Sequence, residues 1–147
     1  MEGISRNPPQ DTGLALWPEV AGRDTIRPMN SILIIDDHAA FRVQARALLE
    51  NDGFNVVAEA GDGTTGLQIA RTLRPDLVLL DIGLPDIKGF EIARALAADG
   101  PPPFVVLTSS RDASAYGPRL SNSRVLGFIP KDELSGPAIR ALAAGVP

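Results

Sequence analysis

A chain of 147 residues has the length for one well-cored domain and is short for two. It is 44% hydrophobic and 22% charged, its net charge is -4, and no stripe of basic residues appears, which argues against direct binding to nucleic acid. Cysteine is absent, no run approaches the roughly 20 apolar residues of a membrane span, and the opening MEGISRNPPQDTG has neither a cationic start nor an apolar core. Disulfides, thiolate metal sites and a membrane partner are therefore set aside, and a cytoplasmic location is expected.

Residues 1–30 hold Pro8, Pro9, Pro18 and Pro28, mixed charges and no sustained period, and read as a disordered or poorly ordered N-terminal arm. Leu14, Leu16 and Trp17 in LALWPEV offer a docking segment as the alternative, and Met29 offers a second possible start. From residue 31 to 147 the pattern is that of a single domain in which short apolar runs alternate with amphipathic stretches. The run 32–35 is a first strand, and Phe41, Ala45, Leu48 and Leu49 follow at helical spacing. The run 54–60 is a second strand, with Leu67, Ala70 and Leu73 marking the next helix. The run 77–80 is a third, followed by Phe90, Ala93 and Ala97, and 104–107 is a fourth.

A helix is due over 111–123, RDASAYGPRLSNS, but Gly117–Pro118 falls in its middle, where proline costs about 3 kcal/mol, so a short or broken helix is expected. The run 125–129 is the fifth strand. Leu134, Ala138, Ala141 and Leu142 form the last helix, with Ser135 as its cap, Pro137 in its first turn and Gly145 ending it. Several of these runs are continuous rather than alternating, as strands of a parallel sheet covered on both faces should be. Five βα units of this kind make a doubly wound α/β fold.

Ligands of such a fold bind outside the carboxyl ends of the strands. Polar residues stand at those ends: Asp36 and Asp37 after the first strand, Asp81 after the third, Thr108 after the fourth and Lys131 after the fifth. Three crowded carboxylates repel one another, so one of them takes a proton or a cation sits among them. Oxygen donors without a His or Cys cluster favour Mg²⁺. A carboxylate beside Mg²⁺ and a lysine suits phosphoryl transfer, with the carboxylate as nucleophile, the cations neutralising phosphoryl oxygens and the Thr108 hydroxyl bonding one of them. Each residue also has a plainer reading. Asp36 or Asp37 caps the first helix, Thr108 is a turn hydroxyl, Lys131 and Arg42 face solvent, Phe128 is a core residue, and His38 is a rim or helix-start residue rather than a ligand.

ILIIDDHAAFR, PDLVLLDIGLPDIKG, VVLTSS and GFIPKDEL, in this order and spacing, resemble a response regulator receiver domain, the phosphoacceptor half of two-component signalling, over residues 31–144. The resemblance implies a flavodoxin-like (βα)5 receiver fold with strand order 2-1-3-4-5. It implies that Asp81 is the phosphoacceptor and that Asp36, Asp37, Asp81 and the Gly83 backbone carbonyl hold Mg²⁺. It gives Thr108 and Lys131 to phosphate binding, Thr108 and Phe128 to the switch, and Pro85 and Gly89 to the loop after Asp81. A histidine kinase or phosphotransfer protein is the implied donor and an output protein or domain the implied listener, with a homodimer possible. Such a domain catalyses its own phosphorylation and dephosphorylation and is not an enzyme that turns over a metabolite. Many receivers place proline after the lysine, whereas here Asp132 follows and Pro130 precedes. That Lys-Asp pair and DDHAAFR resemble receivers of LuxR-type transcription factors, yet no output domain is expected in this chain. AYGPRL departs from the family in the helix after the fourth strand, which puts the dimer mode and partner choice outside the resemblance.

Three rival readings have specific sequence features. GDGTTG at 61–66 fits the glycine pattern of a dinucleotide fingerprint, but it follows the second strand and leaves Asp36, Asp37, Thr108 and Lys131 without a purpose; a glycine-rich turn with a Thr cap suffices. A Mg²⁺-dependent phosphohydrolase using an aspartyl phosphate needs a second acid two residues past its nucleophile, where this chain has Gly83, or His38 and Ala39 if the nucleophile is Asp36 or Asp37. A non-phosphorylated interaction module is the third reading, and the complete set of polar residues argues against it.

Overall fold

A strand such as LVLLD, apolar through four consecutive positions, has no face to give to water and must be covered on both sides. The computed structural model, which describes residues 30–98, 102–110 and 125–144, provides that cover. Its elements run β1 (Ser31–Ile35), α1 (Ala39–Asn51), β2 (Asn55–Ala60), α2 (Gly63–Leu73), β3 (Leu77–Asp81), α3 (Gly89–Ala97), β4 (Phe104–Ser109) and β5 (Val125–Pro130), then a 3-10 turn (Lys131–Glu133) and α4 (Gly136–Ala144). The five strands are parallel in the order β2-β1-β3-β4-β5, as expected.

Period-two geometry splits each apolar strand between two cores. Leu33, Ile35, Val78, Leu80, Val105 and Leu107 point to one face and pack with residues of α2 and α3, among them Ala70, Phe90, Ile92 and Leu96. Ile32, Ile34, Leu77, Leu79, Val106 and Ile129 point to the other, against Ala45 and Leu49 of α1 and Ile139 of α4. The chain leaves β1 towards β2 on one side and returns to β3 on the other. This strand-order reversal opens the crevice between the carboxyl ends of β1 and β3. Register then aligns what stands there. Ile35 pairs with Leu80, Asp81 with Thr108, and Thr108 with Ile129, so the residue after β1 lies level with Asp81.

Several local expectations meet the structure. Ser135 Oγ accepts from Ala138 N at 3.0 Å and Pro137 lies in the first turn of α4, as a capped helix start requires. Asn30, just before β1, is already tied to the sheet, since its N–H and that of Ser31 donate to Asp76 Oδ2 and its carbonyl accepts from Asn55 N. The expected N-terminal arm, apart from Asn30, the broken helix over 111–123 and the stop at Gly145 lie outside the described residues.

The turn GDGTTG is resolved against a nucleotide. Its helix cap is Asp62, not a threonine: Asp62 Oδ1 accepts from Thr65 N at 2.7 Å. The N–H groups of Gly63 and Thr64, which a phosphate would need, donate to the carboxylate of Asp86 at 2.9 and 3.0 Å, and the Thr64 hydroxyl joins them. The glycines serve close packing, because a Cβ at Gly63 would come within 2.7 Å of Ile92 and one at Gly66 within 2.5 Å of Ile35.

Gly89 opens α3 at the end of the loop that follows Asp81, and a Cβ there would stand 2.7 Å from the Ile82 Cα and 3.1 Å from the Asp81 carbonyl oxygen. Backbone gives way less easily than a side chain. Gly89→Ala is expected to cost about 1–3 kcal/mol, read as a lower urea midpoint.

Candidate functional site

β1 ends in a carboxylate that the fold buries completely. Asp36 is 0% exposed, and its backbone is fixed from two sides: its N–H donates to the Ala60 carbonyl at 3.0 Å and its carbonyl accepts from Arg42 Nη1 at 2.6 Å. Asp36 Oδ1 accepts from the His38 N–H at 2.8 Å. Asp36 Oδ2 has no hydrogen bond in good geometry and faces Lys131 Nζ at 2.8 Å as an ion pair. Asp37, on the other side of the chain, keeps a side chain 32% exposed.

Asp81 closes β3 and is 3% exposed. Its Oδ1 accepts from the Gly83 N–H at 2.9 Å, which draws the following turn back over the strand end, and its Oδ2 lies 3.5 Å from Lys131 Nζ. Lys131 begins the turn after β5, so its stem crosses the top of the sheet; the ammonium reaches both buried acids while passing 4.7 Å from the centre of the Phe41 ring. Thr108 is fully buried and donates its hydroxyl to the Ile129 carbonyl at 2.7 Å, so in this conformation it is tied to β5. Phe128, half-buried, packs on the core beneath α2 and α3. Gly83 is exposed.

The electrostatics follow from this placement. Burial pushes the Asp81 carboxyl above the usual range, the Gly83 N–H pulls it back, the charge of Asp36 pushes up, and Lys131 pulls down. Asp86, by contrast, is held at about 2 by the Gly63 and Thr64 N–H groups, which locks the far end of the same loop to α2.

One donor atom each from Asp36, Asp37, His38 and Asp81 lies within 4.8 Å of all the others. Three carboxylates set against one ammonium leave two formal negative charges, and Asp36 Oδ2 is a buried acceptor without a hydrogen bond. That donor set fits a divalent cation, and its oxygen-rich character fits Mg²⁺.

The structure thus gathers Asp36, Asp37, Asp81 and Lys131 into one cluster, with Thr108 beside it in the sheet and Phe128 below. Arg42 is corrected: it does not face solvent but is buried enough to hold the Asp36 carbonyl, with its Nε at 3.3 Å from Glu59 Oε1. The signal for it was Glu59, the one charge in the strand NVVAEA, which needed a basic partner. His38 is the N-cap of α1 and lies on the rim with its side chain 66% exposed, as the rim or helix-start reading expects, while its Nδ1 edge meets the cluster at Asp36 Oδ1.

Because its pKa is raised, Asp81 weakens the fold when ionised. This cost is absent below about pH 4, the range of an unperturbed carboxylate, and grows as pH rises through the folded-state value. In cation-free buffer Asp81→Asn is therefore expected to melt a few degrees above wild type at neutral pH, with the gap closing near pH 4; thermal scans across pH check this.

Comparison with known proteins gives one consistent answer. The sequence profile of the response regulator receiver domain matches residues 32–142. BvgA of Bordetella pertussis is 40% identical over 115 residues, covering 78% of this chain and 55% of that protein. The DNA-binding response regulator MtrA of Mycobacterium tuberculosis is 44% identical over 89 residues, covering 60% and 38% respectively. This chain spans about half the length of the first curated relatives it matches. Among solved structures, the signal receiver domain of NarL from Mycobacterium tuberculosis superposes with a TM-score of 0.71 at 31% identity, covering 81% of this chain and 100% of that one. A CheY-like receiver domain from Methanospirillum hungatei shares the fold with a TM-score of 0.67 at 21% identity, covering 80% and 92%.

Proposed function

The chain belongs to the response regulator receiver domain family of two-component signalling, and from that premise we propose that it accepts a phosphoryl group on Asp81 in a Mg²⁺-dependent reaction and passes the change to a partner surface. The observation that carries this reading is the row set by strand register, Asp36, Asp81 and Thr108 side by side with the Lys131 ammonium above the two acids.

Residues 31–147 form the receiver unit of this proposal. An Asp81 carboxylate oxygen attacks the phosphorus of a phosphohistidine on a histidine kinase or phosphotransfer protein. A P–O bond forms, the P–N bond breaks, and the electron pair leaves with the imidazole nitrogen. Burial makes Asp81 a poorly solvated nucleophile, and the Gly83 N–H orients its carboxylate. Lys131 supplies positive charge to the phosphoryl oxygens. Mg²⁺, held by Asp36, Asp37, Asp81 and the Gly83 carbonyl, would neutralise the remaining charge on the transferring group.

The same geometry supports a switch. The Thr108 hydroxyl now donates to Ile129, and a phosphoryl oxygen on the neighbouring Asp81 competes for that proton. Thr108 turning away would release the Ile129 carbonyl, and Phe128, the adjacent residue on β5, would move inward, shifting a two-state equilibrium. The listener is an output protein or domain, and relatives named as DNA-binding response regulators suggest that its role is control of transcription. No described helix is long and apolar enough to cross a membrane.

Incubation with acetyl phosphate and Mg²⁺, followed by intact-protein mass measurement, tests the assignment. Wild type is expected to gain one phosphoryl mass, with the gain abolished by chelator and by Asp81→Asn. An unmodified wild type, or an equally modified Asp81→Asn, contradicts it.

A further inference from the structure

The position before α1 is one where Ser, Thr, Asp or Asn would bond the first turn of the helix. His38 stands there and its side chain makes no capping bond. Its ring Nδ1 instead lies 3.1 Å from Asp36 Oδ1, 3.2 Å from Asp37 Oδ1 and 3.2 Å from Lys131 Nζ. These contacts make opposite demands. Towards the carboxylates Nδ1 must carry a proton, and towards the ammonium it must offer a lone pair. As a hydrogen-bonding group the ring is poorly matched to its place.

As a donor to a cation it is well matched. Six donors at about 2.1 Å around a divalent ion set adjacent donors about 3.0 Å apart and opposite ones about 4.2 Å apart. The separations of Nδ1 from Asp36 Oδ1 and Asp37 Oδ1 are those of adjacent donors, and the whole set lies within 4.8 Å. A second observation points the same way: Asp36 Oδ2, fully buried in the same cluster, has no hydrogen-bond partner and is met by a positive charge at 2.8 Å. The ammonium sits among these donors, where a metal ion would otherwise serve them.

We propose that His38 Nδ1 is a metal ligand of this centre, and that it tilts the site towards first-row transition cations of the Mn²⁺ to Ni²⁺ series over Mg²⁺. Carboxylate and carbonyl oxygens alone suit Mg²⁺, whereas an imidazole nitrogen adds affinity for the borderline ions and little for the hard one. This inference rests on the metal-centre reading above and extends it from the three carboxylates to the one other potential ligand grouped with them.

The chain has a single histidine, so its ring is an unambiguous reporter. Untagged protein is titrated with CoCl2 and with MgCl2 at one fixed pH by calorimetry, for wild type, His38→Ala and His38→Asn, the last restoring a favoured helix-start residue. Proton NMR of the Co²⁺-loaded wild type is recorded alongside. Wild type is expected to bind Co²⁺ more tightly than Mg²⁺. Both variants should lose roughly 10- to 100-fold in Co²⁺ affinity, the range found even for residues that merely orient a ligand, while Mg²⁺ affinity stays within about twofold. A hyperfine-shifted imidazole N–H is expected in the wild type and absent from both variants. Equal losses for the two metals, retained Co²⁺ affinity in the variants, or no shifted imidazole signal overturns the inference. A wild type that binds Mg²⁺ and takes the phosphoryl group while showing any of these outcomes leaves the receiver reading standing. Failure to bind either metal sinks both.

Discussion

Two carboxylates buried within reach of one ammonium are the constraint around which the rest of the domain is arranged. Asp36 and Asp81 are almost wholly withdrawn from water, a third acid lies beside them, and Lys131 is shared between the buried pair at 2.8 and 3.5 Å. Burial of unpaired charge costs far more than a fold of this size can spare, so the arrangement persists because the surroundings hold it. The backbone of Asp36 is clamped by Ala60 and Arg42, Asp81 by Gly83, and the loop after Asp81 by its own Asp86, whose carboxylate accepts from the first N–H groups of α2. The residual negative charge makes the cluster compatible with a divalent cation, which is what the proposed phosphoryl transfer to Asp81 calls for.

Sheet topology explains how so few residues assemble such a centre. Reversal of strand order between β1 and β3 leaves a crevice, and in-register parallel pairing sets the residues at its rim in one line. The line continues to Ile129 on β5, whose carbonyl holds the Thr108 hydroxyl, so events at Asp81 have a short covalent and hydrogen-bonded path to the outer strand. On the proposed reading, a phosphoryl oxygen on Asp81 would be a second acceptor for that hydroxyl, the simplest element that could turn a charge change into a surface change.

Much of this was legible in the residues. Continuous apolar runs at regular intervals specify buried parallel strands, and the end of each run marks where chemistry gathers, so Asp36, Asp37, Asp81, Thr108 and Lys131 could be grouped without coordinates. What escaped depends on side-chain direction rather than order along the chain. Arg42 sits on the first helix where solvent exposure was the simplest expectation, and nothing local shows that its guanidinium reaches back to the Asp36 carbonyl. The cap of α2 is Asp62, the residue just before Gly63, rather than a threonine, and the Thr64 hydroxyl, already inside the helix, is engaged by Asp86, a residue 22 positions away. His38 announced a helix start, but the turn of its ring towards two acids follows from the path between β1 and α1. Residues 1–29 and 111–124 lie outside the described structure, and their expected roles stay as sequence-level expectations.

Lys131 answers the same excess of negative charge that a divalent cation in the cluster would answer. The measurement that bears on this most directly is calorimetric titration of Mg²⁺ into wild type and Lys131→Ala at neutral pH. Removal of the ammonium leaves three carboxylates uncompensated, so the variant should bind Mg²⁺ more tightly than wild type. Mg²⁺ affinity that is unchanged or weakened in Lys131→Ala would contradict the account.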